Sequence, residues 1–405
     1  MSQPAAIQLP IHLPAGFSFS SLAAGIKASG RNDLALVECA PATRAAAVFT
    51  RNRVVAAPVE VGREALKASG GRVRAVIVNS GNANCANGED GLRGCRKVCA
   101  QTAKLLRVPP DQIFPSSTGI IGVRFPAEKI VAKLEELTST GAASGEAARG
   151  FGQTIMTTDT RAKIASAAFR TRQGEVKLLG IAKGSGMIHP RLATMLVYLF
   201  TDLEAGPLQL KRMLLESCDQ TFNCISVDGD TSTNDTVLLL ASGRSGVGMT
   251  SPGVSSKFSE ALRTVCESLA HQIVSDGEGV QHVIELNIEG AKSREEAMKV
   301  ARAIAHSPLV KTAWAGADPN WGRILAAVGN SGIAINPARV NIHIGDQQVC
   351  RKGTNHMFDE KQAHAHLSGR QCRVRVQLGR GRKSVRFWTT DLSAEYVRIN
   401  ADYST

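Results

Sequence analysis

The stretch Lys183–Asp202 reads KGSGMIHPRLATMLVYLFTD, and its two halves differ sharply. The first half is small and polar, while Met195–Phe200 is an unbroken apolar run. Six apolar residues are strand-sized and far short of the ~20 that span a bilayer. Met195–Phe200 is therefore expected to be a buried strand, with Val237–Ala241 a second of the same kind. Gly184, Ser185 and Gly186 allow the backbone to come close to a ligand or another segment. Thr194, preceded by Ala193, stands at the mouth of the apolar run. Cleavage of the Ala193–Thr194 bond would give Thr194 a free α-amine beside its own hydroxyl. With an unperturbed pKa of roughly 7.7–8.0, that amine can serve as general base near neutral pH.

Outward from this stretch, strand-like and helical segments alternate. Arg72–Val78 reads as a buried strand, and Leu92, Cys95, Val98, Cys99, Thr102 and Leu106 mark a helical stripe. Pro126 opens a helix carrying Ile130, Val131, Leu134 and Leu137 on one face. Phe258, Leu262, Val265, Leu269 and Ile273 define another. Ser293 with Glu296 is a capping-box signature, placed between strand-like Val283–Ile288 and the helical Ala297–Ile304. Leu309–Trp314 is expected to be extended, and Gly141–Gly150 is the best linker candidate. The fold class is α/β, layered sheets and helices.

The chain has 405 residues, 43% hydrophobic and 20% charged, with 38 glycines. That composition excludes disorder, collagen and coiled coil. Prolines 4, 10 and 14 interrupt an N-terminus without a basic, apolar leader, so the protein is expected to be cytoplasmic and to have no membrane partner. A net charge of +13 invites a nucleic-acid reading, but aromatic residues are only 4%, leaving few platforms for stacking bases. The densest basic stretch, Arg370–Arg386, alternates Arg373 and Arg375 with Val374 and Val376. It reads as a two-strand hairpin with one solvated, charged face, and no nucleic-acid partner is expected. None of the nine cysteines forms a CxxC pair, and His364 with His366 has no third ligand nearby, so no metal is expected. Asp228–Leu239 fails as a calcium loop because Thr233 and Leu239 stand where glycine and glutamate are required.

Gly/Ser/Thr/Asn-rich loops are expected after several apolar segments. They include NSGNANCANG (Asn79–Gly88), PSSTGIIG (Pro115–Gly122), MTTDT (Met156–Thr160), DGDTSTNDT (Asp228–Thr236), DGEG (Asp276–Gly279) and GADPNWGR (Gly316–Arg323). The segments NSGNAN, SSTGIIG, MTTDT, AKGSGMIHP with LATML, VDGDTSTNDT, DPNWGRILAAVG and the terminal NADYST resemble, in order, the ornithine acetyltransferase (glutamate N-acetyltransferase) family. The resemblance runs from Asn79 to Thr405.

The resemblance implies an N-terminal-nucleophile-like arrangement of sheets between helices. It implies self-cleavage between Ala193 and Thr194, giving an α chain (residues 1–193) and a β chain (residues 194–405) that stay together, two of each per assembly. Thr194 would take the acetyl group from N2-acetyl-L-ornithine and pass it to L-glutamate in a ping-pong cycle of arginine biosynthesis. Thr118 and Gly119 match the family's oxyanion-hole pair, and Thr157, Lys183, Thr194, Glu278, Asn400 and Thr405 its substrate contacts. Lys183 is expected to pair a carboxylate and Glu278 an ammonium, while Thr405 adds a hydroxyl and the terminal carboxylate. No cofactor is implied, although acetyl-CoA serves some members as a second acetyl donor. Two rival readings are an amidase or aminopeptidase with the same nucleophile and water as acceptor, and a basic RNA-binding protein working through Arg370–Arg386.

Overall fold

The structure is a computed structural model that describes residues 11–189 and 195–402. Two sheets face each other. The first holds β1 (Phe17–Leu22), β2 (Leu34–Cys39), β4 (Ala75–Asn82) and β5 (Ile113–Ile120), in the order β1-β2-β4-β5. The second holds β3 (Arg44–Phe49), β6 (Lys163–Arg170), β7 (Glu175–Lys183), β8 (Leu196–Thr201) and β9 (Thr236–Ala241), in the order β3-β9-β8-β7-β6. Successive side chains of a strand point to opposite faces. One set, including Phe17, Phe19, Val76 and Val78 from the first sheet and Ile181, Tyr198, Phe200 and Leu238 from the second, fills the space between the sheets. Phe200 meets Phe17 and Phe19 edge-on at ring distances of 5.1 and 5.3 Å, fixing how the sheets stack.

Helices cover both outer faces. Against the first sheet lie α1 (Ala57–Ala68), α2 (Gly88–Leu106), α3 (Ala127–Val131) and α4 (Leu134–Ser139). Against the second lie α6 (Pro207–Gln220) and α7 (Val254–Ser275), which meet the alternate residues Leu178, Val197, Leu199, Val237 and Leu239. β8 and β9 are thus buried on both sides, which is why their sequences lack the polar alternation of a half-exposed strand. α5 (Gly145–Thr154) places Phe151 in the layer between the sheets. The four-layer order, helix–sheet–sheet–helix, matches the layered α/β arrangement expected from the sequence.

The rest of the chain builds a six-stranded sheet from β10 (Val283–Ala291), β11 (Asn341–Ile344), β12 (Gln347–Arg351), β13 (Thr354–Asn355), β14 (Gln371–Gln377) and β15 (Lys383–Thr390). One face is packed by α8 (Arg294–Ala305), α9 (Pro308–Ala315), α10 (Trp321–Gly329) and α11 (Glu360–Leu367). A last helix, α12 (Ala394–Asp402), follows β15. Among the described residues no helix is long and apolar enough to cross a membrane.

Four local expectations need correction. Arg370–Arg386 does not fold as a hairpin. β10 lies between β14 and β15, parallel to one and antiparallel to the other, because its own alternating Ile284, Leu286 and Ile288 fit both neighbours. The charged face of β14 is real, and Arg373 there pairs with Glu285 at 3.3 Å. Leu309–Trp314 is helical, not extended: Ser307 caps it through Val310 N–H, Pro308 sits in the first turn, and Val310, Ala313 and Trp314 share the buried face. Gly141–Gly150 is no linker, since Ser144 caps α5 by accepting from Ala147 N–H at 3.1 Å and Ala148 is buried within the fold. Finally, NSGN and SSTGI are strand ends rather than loops. Some of their polar side chains bond internally, as where Ser117 Oγ donates to Asn79 Oδ1 at 2.6 Å and Asn79 Nδ2 to Asn82 O at 2.8 Å.

Candidate active site

The ends of β4, β5, β7, β8 and β9 converge on one spot between the two sheets. β5 delivers Thr118 and Gly119. Gly119 pairs with Gly81 of β4 and has φ +132°, and a Cβ there would lie 2.4 Å from the Gly81 carbonyl carbon. Even alanine would force these two strands apart. β7 ends on Lys183, directly across from Leu196 at the start of β8. Just before β9, Asn234 donates to the carbonyls of Ala83 and Ser117 at 2.7 and 2.9 Å, tying this turn to the first sheet. Its neighbour Asp235 accepts from Met195 N–H at 3.0 Å. Ala193, Thr194 and Thr405 lie outside the described residues.

Lys183 is 3% exposed. Its Nζ donates to Thr157 Oγ1 at 2.8 Å and to Thr118 Oγ1 at 3.3 Å, with Asp159 Oδ2 at 3.8 Å. Burial lowers the Lys183 pKa, and Asp159 works in the opposite direction. Asp159 is itself enclosed. Lys163 Nζ and Gly184 N–H approach its Oδ1 at 2.5 and 2.6 Å, while Thr157 N–H reaches Oδ2 at 3.1 Å. Burial disfavours its charge, but Lys183, Lys163 and these donors outweigh that and hold the carboxyl at about 2. Lys163 continues the chain to Asp276 Oδ2 at 2.5 Å, and Asp276 also accepts from Thr160 N–H at 3.0 Å.

A second group sits beside the first. Glu278 is fixed by its N–H bond to Ser185 O at 3.0 Å, and the Ser185 hydroxyl meets Thr158 Oγ1 at 2.7 Å. The Glu278 carboxylate lies over Gly186, where a methyl group would fall 2.5 Å from it and push it aside. Asn400 on α12 donates to Glu278 Oε2 at 3.0 Å. Glu278 is near enough to Lys183 to favour the lysine's charge. Asp228 accepts from Met187 and Ile188 N–H at 2.6 and 2.9 Å, and burial lifts its carboxyl to about 6. The structure thus brings Thr118, Thr157 and Lys183 into direct contact, and Glu278 and Asn400 into a second contact next to them.

This arrangement, a glycine-pinned strand end beside a buried cation and a carboxylate, suits acyl transfer to and from an amino acid. The profile of the ArgJ family matches residues 18–405. The chain belongs to the ArgJ family. It is 44% identical over 396 residues to the "Arginine biosynthesis bifunctional protein ArgJ" of Methylococcus capsulatus, covering 96% of each chain. It is 41% identical over 392 residues to the protein of that name from Chlorobaculum tepidum, again covering 96% of each. A solved ArgJ chain from Bacillus halodurans is 41% identical and covers 50% of this chain and 96% of its own, with a TM-score of 0.48. This ArgJ-family protein is an acyltransferase of arginine biosynthesis, a glutamate N-acetyltransferase.

Several residues of this ArgJ site escape a reading of the sequence. Asp159, Asp276, Asn234 and Asp235 sit inside quoted motifs (MTTDT, DGEG and DGDTSTNDT) without any individual role. Lys163 gives no signal at all, being one lysine at the head of a strand. Its partners lie 4 and 113 residues away, so only the fold reveals the pairing.

Proposed function

We propose that Thr194 is the nucleophile and that the chain cuts itself between Ala193 and Thr194, leaving two fragments, residues 1–193 and 194–405, in one fold. The observation that supports this best is the convergence of Thr118, Gly119 and Lys183 beside the Asp235–Met195 hydrogen bond, since Met195 directly follows Thr194.

In the first half-reaction Thr194 Oγ bonds to the acetyl carbon of N2-acetyl-L-ornithine while its proton passes to the Thr194 α-amine. The carbonyl pair moves onto oxygen, where the Thr118 hydroxyl and Gly119 N–H are the donors for the oxyanion. That pair then returns and the C–N bond breaks. The leaving nitrogen takes the proton from the α-ammonium, and ornithine departs. The amine of L-glutamate attacks the acetyl ester by the same steps in reverse, giving N-acetyl-L-glutamate and the free threonine. Glu278, oriented by Asn400, binds the substrate ammonium, and Thr157, Lys183 and Thr405 complete the pocket. Acetyl-CoA serves as a second donor, as expected of a bifunctional member. The reaction is cytoplasmic, and the working assembly is a heterotetramer of two copies of each fragment.

Intact mass under denaturing conditions tests the central claim. The expected result is two fragments, one beginning at Thr194, and a single 42.9 kDa chain in active protein would refute it. Thr194→Ala is expected to remain uncut and to lose acetyl transfer by several orders of magnitude. Transfer from acetyl-CoA to glutamate, assayed on the same preparation, decides the second donor.

A further inference from the structure

We infer that Asp235 is the proton acceptor of the self-cleaving step, and that the turn formed by residues 226–236 presents the bond to it. The inference rests on the reading of Thr194 as a self-cleaving nucleophile. The α-amine assigned as general base of acetyl transfer does not exist before the cut. Until then the Thr194 nitrogen is an amide nitrogen, its lone pair delocalised into the Ala193 carbonyl. The first attack by the Thr194 hydroxyl therefore needs another base.

The other carboxylates around the site already accept from partners. Asp159 takes Lys163, Gly184 N–H and Thr157 N–H, and Asp276 takes Lys163 and Thr160 N–H. Asp228 takes Met187 and Ile188 N–H, and Glu278 takes Asn400. Asp235 differs. It is 1% exposed, and its Oδ1 accepts from Met195 N–H, the amide that directly follows Thr194. Among the described residues its Oδ2 is buried without a hydrogen-bond partner. A buried carboxylate oxygen left unpaired is costly, and this one is anchored on the residue next to the hydroxyl that has to lose a proton. Burial also pushes the Asp235 carboxyl well up, against the pull of Met195 N–H and Lys183, which favours holding a proton taken up there.

The same turn grips the chain on both sides of the cut. Upstream, Asp228 fixes Met187 and Ile188 N–H, and Ile188 O accepts from Val227 N–H at 2.9 Å and Ser226 Oγ at 3.0 Å. Downstream, Met195 O accepts from Thr236 N–H at 3.1 Å, beside the Asp235 bond. Asn234, through Ser117 O, ties the turn to β5, which carries Thr118 and Gly119. Anchoring both flanks on one turn supplies the orientation that an intramolecular attack needs.

In the step itself Thr194 Oγ bonds to the Ala193 carbonyl carbon while its proton passes to Asp235. The carbonyl pair moves onto oxygen and returns as the C–N bond breaks. The leaving nitrogen takes the proton back from Asp235, giving an ester and the free α-amine. Water then hydrolyses the ester: its oxygen stays on the Ala193 carbon, one proton goes to Thr194 Oγ and the other to solvent.

The test follows cutting of the full chain by intact mass over time after cell-free synthesis. Asp235→Asn keeps the size of the side chain and an acceptor for Met195 N–H but removes the base. It is expected to slow cutting on the order of 10²–10⁴-fold, the range for general-base catalysis. Its denaturant midpoint should match that of uncut Thr194→Ala. Asp235→Ala should be cut when formate is added, since a small carboxylate can occupy the vacated space, and chloride should not replace formate. Cutting of Asp235→Asn at the wild-type rate would overturn the inference. So would slow cutting that tracks a lowered midpoint and does not respond to formate, which would make Asp235 structural. A wild type that stays a single chain would instead bring down the reading of Thr194 as self-cleaving.

Discussion

The buried strand ends around the candidate site and the charged face of the six-stranded sheet pair opposite charges under opposite conditions. At the strand ends around the candidate site, Lys163, Lys183, Asp159 and Asp276 are all buried and linked end to end. On the six-stranded sheet, Arg373 pairs with Glu285 and Arg386 with Glu267, yet both arginines remain in water. Water can replace a lost partner on the open face. Inside, nothing replaces it, so each buried charge depends on its neighbour's presence. Pairs of opposite charge therefore hold geometry in one region and decorate a surface in the other.

The largest effect is expected for Lys163→Met. It leaves Asp159 and Asp276 facing each other across an apolar side chain and is expected to cost about 3–5 kcal/mol, read from the shift of a urea midpoint. A loss below about 1 kcal/mol would place this network with the surface pairs.

An intermediate case lies under the edge of the six-stranded sheet. Lys311 of α9 is buried and donates to the carbonyl and hydroxyl of Thr390, with Asp391 and Asp228 acting only at longer range. Burial lowers its pKa from 10.5 to about 8. Below that value the fold carries the full penalty of a buried charge. As pH rises from about 8 to 10.5 the folded lysine is neutral while the unfolded one still binds a proton, so stability increases across that window. The expected gain is about 3 kcal/mol at most, and Lys311→Met should lack it. Denaturant midpoints at the two ends of the window, wild type against variant, check the sign as well as the size.

The smallest effect belongs to the open face. Arg373→Ala is expected to change stability by less than about 1 kcal/mol and acetyl transfer not at all. A large loss in either would show that this face does more than keep the sheet solvated.

Much of the scaffold was legible because local pattern and tertiary role agree. The unbroken apolar runs at β8 and β9 reflect sheets covered on both sides, and the stripes of α2, α7 and α8 face single cores. Legibility failed where a distant partner decides. Ser, Thr and Asn read as loop residues at the ends of β4 and β5, yet they are buried there, and Ser117 of β5 bonds across the ladder to Asn79 of β4. β14 and β15 look like a hairpin until β10, some 80 residues upstream of β14, inserts between them. The short apolar run of α9 has a strand's composition, and only the Ser307–Pro308 start marks it as a helix. At the candidate site, family motifs single out Thr118, Gly119, Thr157, Lys183, Glu278 and Asn400, residues that the fold gathers into two adjoining groups. The Asp159–Lys163–Asp276 chain behind them is not legible as a unit, because Lys163 belongs to no motif and electrostatic pairing between separate strands and turns leaves no periodic trace.

β3, from early in the chain, forms the edge of a sheet whose central strands β8 and β9 come after residue 194, and β7 and β8 are hydrogen-bonded neighbours on either side of that point. A cut there would divide the five-stranded sheet between two polypeptides, neither of which carries enough strands to bury its own share. Order of events follows from topology alone: assembly has to precede scission, and each molecule could then be matured only once. Two separately made halves would face a bimolecular search that the intact precursor never meets.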